Sequence, residues 1–472
     1  MAELQVRSLS GEMKSLSEAT IEAFSGGIRG ALIKPDDADY DDARQIWNGM
    51  IDRRPGMIVQ CSGTADVMAT VKFAREQQLL VSVRGAGHNI AGKSLYDGAL
   101  LIDLSGMNSV QVDPDARVAV AGPGATLGDL DHETQAYGLA VPVGINSTTG
   151  VAGLTLGGGF GWLSRKYGLT VDNLLAAEVV TAEGERVRCD ANSHSDLFWA
   201  TCGGGGNFGV VTSFEYRLHP VGPQVFSGPA VFPFDQATSV LKAYREFCAN
   251  CPDELTVWAV IRGAPPLPFL DPDVHGSMVL IIVALYNGDL AEGEKALAPL
   301  RQLGSPIADG FGPHPFVGFQ QAFDPLLTPG VRNYWKSHNF TGLTDELIDM
   351  LVDYGSRLPS PDSEIFVAQM GGATNRVDST ATAYPHRDAE FIMNVHTRWD
   401  TPDQDKTCID WARDFYDATL PLATGGVYVN FISEGEDRIE GAYGANYERL
   451  TKVKAQYDPD NFFRVNQNIK PG

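Results

Sequence analysis

The chain has 472 residues, 43% of them hydrophobic, which is enough for a large buried core. At about 100–200 residues per domain, two or three domains are expected. Thirty-six Lys and Arg against 59 Asp and Glu give a net charge of -23, so the surface repels phosphate backbones and anionic lipid. Nucleic acid and membranes are therefore not expected as partners. No apolar run of about 20 residues occurs, and the start carries no apolar stretch with a basic flank. Neither a membrane span nor a secretory signal is expected, and a cytoplasmic location follows. The six cysteines are scattered, which is not a disulfide framework in a chain this long. Cys248 and Cys251 form a lone C-x-x-C with no second pair and no nearby His, so no metal or redox site is expected there.

Taken in order, 57–60 reads as a strand, 64–77 as a helix with Thr64 as a possible cap, and 79–83 as a second strand. Strand–helix–strand units imply parallel pairing through a helical crossover. Strands follow at 100–104 and 118–121. Residues 126–137 form an amphipathic helix that Thr126 can cap, with Leu127, Leu130 and Tyr137 on one face and Gly138 as its stop. Composition changes near residue 220. Beyond it come strands at 278–285 and 366–370, helices at 236–248 and 405–416, and loops at 263–272 and 310–316. This middle part reads as α+β with an antiparallel sheet. The tail is helical at 446–456 and turns at 457–461.

Three glycine-rich segments stand out in the first 220 residues. They are Arg84-Gly85-Ala86-Gly87-His88-Asn89, the run from Gly150 through Gly153 to Gly157-Gly158-Gly159-Phe160-Gly161, and Gly203-Gly204-Gly205-Gly206-Asn207-Phe208-Gly209. Glycine reaches positive φ and lets backbone N–H groups converge on an anion, which suits a pyrophosphate. Neither a P-loop nor a G-x-G-x-x-G opening a βαβ unit is present. His88 is unusual inside such a loop.

These segments, together with 166–173, 196–200, 203–212 and the ending 457–469, resemble the FAD-linked oxidases of the vanillyl-alcohol-oxidase type, in the berberine-bridge-enzyme-like group. The resemblance covers nearly the whole chain. It implies an α+β fold with a two-part FAD-binding domain at 1–220, split near 90–110. A substrate domain at 221–425 would carry an antiparallel sheet flanked by helices, and 426–472 would return to the FAD domain. It implies that Arg84, Gly85, Ala86, Gly87, His88 and Asn89 wrap the FAD pyrophosphate, with a His88 ring nitrogen bonded to the flavin. Gly150, Gly153, Gly158, Gly159, Gly161, Gly205, Asn207, Gly209 and Val210 would line the cofactor, and Asn466 and Gln467 would lie near its ring or ribityl chain. Many relatives carry a second link from a cysteine. Asn146 stands at that position here, so a single covalent attachment through His88 is expected. Thr149 stands where relatives control oxygen access, which favours an oxidase.

Flavin carries the redox step, while the protein supplies position, polarity and a base. The resemblance makes Tyr428, in Tyr428-Val429-Asn430-Phe431, the candidate base on a strand, with an unidentified cationic partner. It places Gln369 facing the flavin, able to hydrogen-bond a substrate oxygen. Trp335 and Lys336 are weaker pocket candidates, and His386, His396 and Trp399 read as structural. The expected reaction is oxidation of a small phenolic, alcohol or oxidisable ring substrate, with O2 as acceptor and H2O2 as product. The alternatives are amine oxidation of the hydroxynicotine-oxidase type, a dehydrogenase with another acceptor, or a non-catalytic flavin protein. The substrate and the oligomeric state stay open.

Overall fold

The computed structural model describes residues 3–267, 269–435 and 438–472. Met57–Gln60 and Val81–Arg84 both pair in parallel with Leu100–Asp103, which lies between them, and Ala31–Ile33 closes one edge antiparallel. Helix Thr64–Glu76 is the crossover, burying Val67, Val71 and Ala74. Its cap position is held by Gly63 in extended backbone, with Thr64 as the first helical residue.

Five antiparallel strands form a second sheet, in the order Arg186–Asp190, Leu174–Val180, Val210–Arg217, Val118–Ala121, Val110–Asp113. Helix Leu127–Gln135 follows, and Thr126 caps it as expected. The Thr126 hydroxyl accepts from the Asp129 N–H at 3.2 Å, while the Asp129 carboxylate accepts from the Thr126 N–H at 2.8 Å. The helix ends at Gln135, which leaves Tyr137 off its buried face and exposed. Gly138, at φ +64°, makes the stop.

The largest sheet is antiparallel. Its main path runs Ala308–Asp309, Gln224–Pro233, Met278–Tyr286, Leu255–Gly263, Glu364–Gln369, Phe391–Trp399, Arg332–Phe340. Within the expected 310–316 loop, Gly312–Pro315 is a strand paired with Gln224–Pro233. Helices Ala237–Cys248, Asp345–Gly355 and Asp405–Thr419 cover one face, where Ile365, Val367, Met393 and Val395 are buried. The opposite face carries Trp258, Ala368 and Ile392, which join the core of the second sheet. The architecture is α+β, with antiparallel sheet and flanking helices. No helix among the described residues is long and apolar enough to cross a membrane.

The chain's end is clamped back onto the first sheet. After helix Tyr447–Tyr457, Phe462 and Phe463 enter the core that holds Val59, Val81 and Ile102. Fully buried Lys454 donates to Asp458 at 2.6 Å and to the carbonyls of Asn207 and Phe463 at 2.7 and 2.9 Å. Asp458 accepts the N–H groups of Phe462 and Phe463. Removing one partner of such a pair leaves an uncompensated buried charge. Lys454→Met is therefore expected to cost about 3–5 kcal/mol in urea unfolding, and adding Asp458→Asn to recover part of it.

Candidate active site

One elongated cavity runs between the glycine segments and the large sheet. Backbone from Gly85 to Asn89, Gly150, Gly153, Gly205, Asn207, Gly209 and Val210 lines one end, with Asn466 and Gln467 from the tail. Glu364, Phe366, Asn394 and His396 line the sheet side, and Tyr428 to Phe431 close the gap between the two. Strand Val81–Arg84 delivers the first loop, which turns at Gly87, φ +74°, where a Cβ would press on Ile46. At Gly153 and Gly206 a Cβ would meet nothing within 4 Å. Bare backbone therefore faces the cavity there, as a cradle for an anionic chain requires. Lys93, also in the wall, brings a cation that sequence reasoning missed.

Several expected residues are placed otherwise. The Arg84 side chain turns away from the cavity to grip Asp103 at 2.7 and 3.1 Å and the Gln45 carbonyl, so only its backbone belongs to the loop. Gly158, Gly159 and Gly161 do not line the cavity. They permit close packing: a Cβ would sit 2.9 Å from Tyr384, 2.1 Å from the Thr170 hydroxyl and 1.9 Å from the Val143 carbonyl, respectively. Asn89 lends its side-chain oxygen to the Lys93 N–H, and Asn207 ties Gly204 to Ile469. Gln467 donates to the Ile432 carbonyl, and Asn466 to those of Gly206 and Phe463. The Asn466 side-chain oxygen is buried without a partner, an acceptor left for a bound group.

Gln369 is corrected outright. Side chains alternate along a strand, so Glu364 and Phe366 face the cavity while Gln369 points to the helix-covered side. There it accepts the Val257 N–H at 3.1 Å and donates to the Cys248 carbonyl and the Cys251 sulfur.

His88 stacks on Trp47, with ring centroids 4.5 Å apart, and its Nε2 lies 2.9 Å from the Thr148 hydroxyl. That hydroxyl donates to Asn146 Oδ1 at 2.6 Å, and the same oxygen accepts the Thr148 N–H at 2.9 Å. With its proton committed to Asn146, Thr148 can only accept from His88, which places the ring proton on Nε2 and the lone pair on Nδ1. Burial pushes the ring's pKa down to about 3, so it is neutral at physiological pH.

Tyr428 precedes a 3-10 turn, Val429–Phe431, rather than lying on a strand. Its phenol oxygen accepts from the Gly159 N–H at 3.1 Å and from Asn430 Nδ2 at 2.9 Å. With two donors already on that oxygen, its own O–H is free for a third partner. Burial pushes its pKa up to about 12, and the two donors only partly offset this.

The sheet wall holds Trp335, as expected of a pocket candidate, but not Lys336; it also holds Glu364 and Asn394, which the sequence did not single out, and His396, which reads there as structural. Glu364 binds Arg262 at 2.6 Å and faces His396 Nδ1 at 3.2 Å. Burial alone would raise its pKa, but the Arg262 guanidinium, joined by the His396 ring when that ring is charged, brings it down to about 2. His396 Nε2 lies 2.9 Å from Asn333 Oδ1, an oxygen that Arg398 also donates to at 3.3 Å, so this nitrogen must carry a proton. Burial holds the ring toward neutrality. A neutral ring then turns its Nδ1 lone pair toward the Glu364 carboxylate, and the pair is one proton short. Both atoms of the Asn394 amide and the indole N–H groups of Trp258 and Trp335 are buried without partners. A carboxylate in alternating register with Phe366 and Ala368 was the one available signal.

A second cavity of about 460 Å³ joins the first, sharing Ile145, Trp258, Leu327, Glu364 and Phe366 in its wall. Trp162, Phe319, Phe323 and Leu267 make the rest of its lining mostly apolar.

Comparison with known proteins identifies the family. Residues 55–190 match the FAD binding domain family and residues 427–470 the berberine and berberine-like family. An FAD-linked oxidoreductase of Dictyostelium discoideum is 32% identical over 457 residues, 96% of this chain and 97% of that protein. The structure of 6-hydroxy-D-nicotine oxidase from Arthrobacter nicotinovorans superposes with a TM-score of 0.83 at 29% identity, over 94% of this chain and 98% of that one. A chitooligosaccharide oxidase gives 0.83 at 25% identity, over 96% and 100%. The chain therefore belongs to the FAD-linked oxidoreductases of the vanillyl-alcohol-oxidase type, in their berberine-bridge-enzyme-like group.

Proposed function

We propose that this enzyme is an oxidase that carries FAD on a single covalent bond from His88 and acts on a small, largely apolar ring substrate bearing an alcohol or phenol. The observation that carries the reading is the shape of the joined cavities. Bare glycine backbone and a neutral His88 with a free Nδ1 form one end, and a proton-deficient Glu364–His396 pair faces them from the sheet. Residues 1–220 and 426–472 would form the FAD-binding part and 221–425 the substrate part.

FAD, once bound, supplies the hydride acceptor and hands the electrons to O2, yielding H2O2. Everything else falls to side chains. Lys93 and the backbone at 85–89, 153 and 206 hold the pyrophosphate, and Asn466 offers its unpaired oxygen to the cofactor. The Thr148–Asn146 pair keeps Nδ1 as the reactive nitrogen of His88. Tyr428 donates its O–H to the substrate oxygen, as does Asn394 through its unpaired amide N–H. The proton released from the substrate goes to the Glu364–His396 pair.

An aromatic lining buries a ring well but offers few partners for sugar hydroxyls. This favours a ring substrate over the oligosaccharides for which several relatives are named. Amine substrates fit less well, because Arg262 and Arg398 beside Glu364 leave the wall without net negative charge for an ammonium. All six thiols are free, which suits a reducing cytoplasm. The reading is tested by a peroxide-coupled screen of aromatic alcohols and phenols against oligosaccharides and cyclic amines. Turnover of the first set is expected, and turnover of sugars alone would overturn the substrate class.

A further inference from the structure

Cys248 closes the helix Ala237–Cys248, and Cys251 follows on the helix-covered side of the large sheet, facing away from the cavity. The Cys251 sulfur lies 2.9 Å from Gln369 Nε2, with the Cys248 thiol beside it. As a thiol it can itself donate to the Cys248 carbonyl, 3.3 Å away. The Arg165 guanidinium sits beside it, donating to the carbonyls of Cys251 at 3.2 Å and Leu255 at 2.8 Å. Asp253, two residues further on, is paired with Arg376 at 2.6 Å. The Cys251 sulfur is thus faced by an amide N–H, a thiol S–H and a guanidinium charge, an arrangement that favours thiolate. Cys251 is also partly exposed, whereas the other five cysteines are buried.

We propose that Cys251 is a peroxide-reactive thiolate and Cys248 its resolving thiol, a modification site separate from the flavin chemistry. The Cys251 thiolate attacks hydrogen peroxide. An S–O bond forms, the O–O bond breaks, and hydroxide leaves to take up a proton as water. The Cys248 sulfur then attacks the resulting sulfenic acid, the S–S bond forms, and the hydroxyl leaves with the Cys248 proton as a second water. Two thiols are oxidised by two electrons and one peroxide is reduced.

The electrostatics agree with this division of labour. The hydrogen bond from Cys248, helped by Gln369 and Arg165, outweighs burial and brings Cys251 down to about 6, while burial pushes the Cys248 thiol up. The site also accounts for Gln369, whose amide bridges the thiolate to the Val257 N–H.

The test is iodoacetamide labelling of the purified holoprotein, read by peptide mass spectrometry. At pH 7 Cys251 is expected to react about threefold faster than glutathione, because most of it is thiolate where an ordinary thiol is only a few per cent ionised, a gain partly offset by the lower nucleophilicity of the more acidic sulfur. Hydrogen peroxide added to unlabelled protein should remove two hydrogens from the peptide holding both cysteines, reversibly with dithiothreitol. Cys248→Ser should instead leave a sulfenic acid that dimedone traps, and Cys251→Ser should abolish both products. Labelling of Cys251 no faster than glutathione would overturn the thiolate. Over-oxidation of Cys251 beside a free Cys248 in the unmodified protein would overturn the resolving role, and neither reading needs a variant to fold.

Discussion

His88→Ala is expected to abolish covalent flavin. After acid precipitation the unmodified protein should give a yellow pellet, and the variant a colourless pellet with its flavin in the supernatant. The argument rests on the orientation of the ring. Trp47 fixes the imidazole plane, Thr148 engages Nε2, and Asn146 fixes which way the Thr148 proton points. Nδ1 has no hydrogen-bond partner among the described residues and keeps its lone pair. With a pKa of about 3 the ring stays neutral across pH 5–9, so the fraction of flavin retained should not change over that range. Thr148→Val keeps the nucleophile but removes its tautomer control. Loss of one such hydrogen bond is expected to slow attachment roughly tenfold while leaving noncovalent FAD binding intact. Yellow supernatant from the unmodified protein would refute the bond itself, whereas an unaffected Thr148→Val would refute only the relay.

How legible this site was in the sequence depended on the range of the contacts. The strands at 57–60 and 118–121 and the Thr126 cap are written in local pattern, and they appear as expected. The glycine loops were visible because positive φ and close approach leave few alternatives to Gly. Pattern alone could not separate glycines that bare the backbone, such as Gly153, from glycines that make room for a neighbour, such as Gly161 against Val143, a contact set by tertiary packing. Gln369 failed for another reason. Parity along a strand is set by its pairing, and Glu364 pairs with His396 and Arg262, so the polar inward position lies at the opposite end of the strand from Gln369. The sequence could single out Tyr428 but not its surroundings, because Gly159 lies 269 residues away.

Those surroundings decide the second large effect. Glu364→Gln is expected to lower the rate of substrate oxidation by about 10²–10⁴, the usual worth of a positioned base, while Tyr428→Phe loses about tenfold, the worth of one hydrogen bond. The ordering follows from protonation. A phenol held near 12 is protonated at neutral pH, and among the described residues no cation bears on it to hold the phenolate. Were Tyr428 the base, the rate would climb about tenfold per pH unit through neutrality, following the phenolate fraction. The Glu364–His396 pair instead stands ready to take one proton, and it works only while empty. As pH falls the pair fills and the rate declines. Because burial depresses His396, that decline belongs below its ordinary value of about 6.5, with a plateau above. Anaerobic reduction of the flavin, followed by absorbance across pH 5–9, separates the two cases in the unmodified enzyme. The Glu364→Gln variant, checked for flavin content and far-UV circular dichroism, should lose the rate and the acid limb together. A rate that rises steadily with pH, and that Tyr428→Phe but not Glu364→Gln abolishes, would return the proton to the tyrosine.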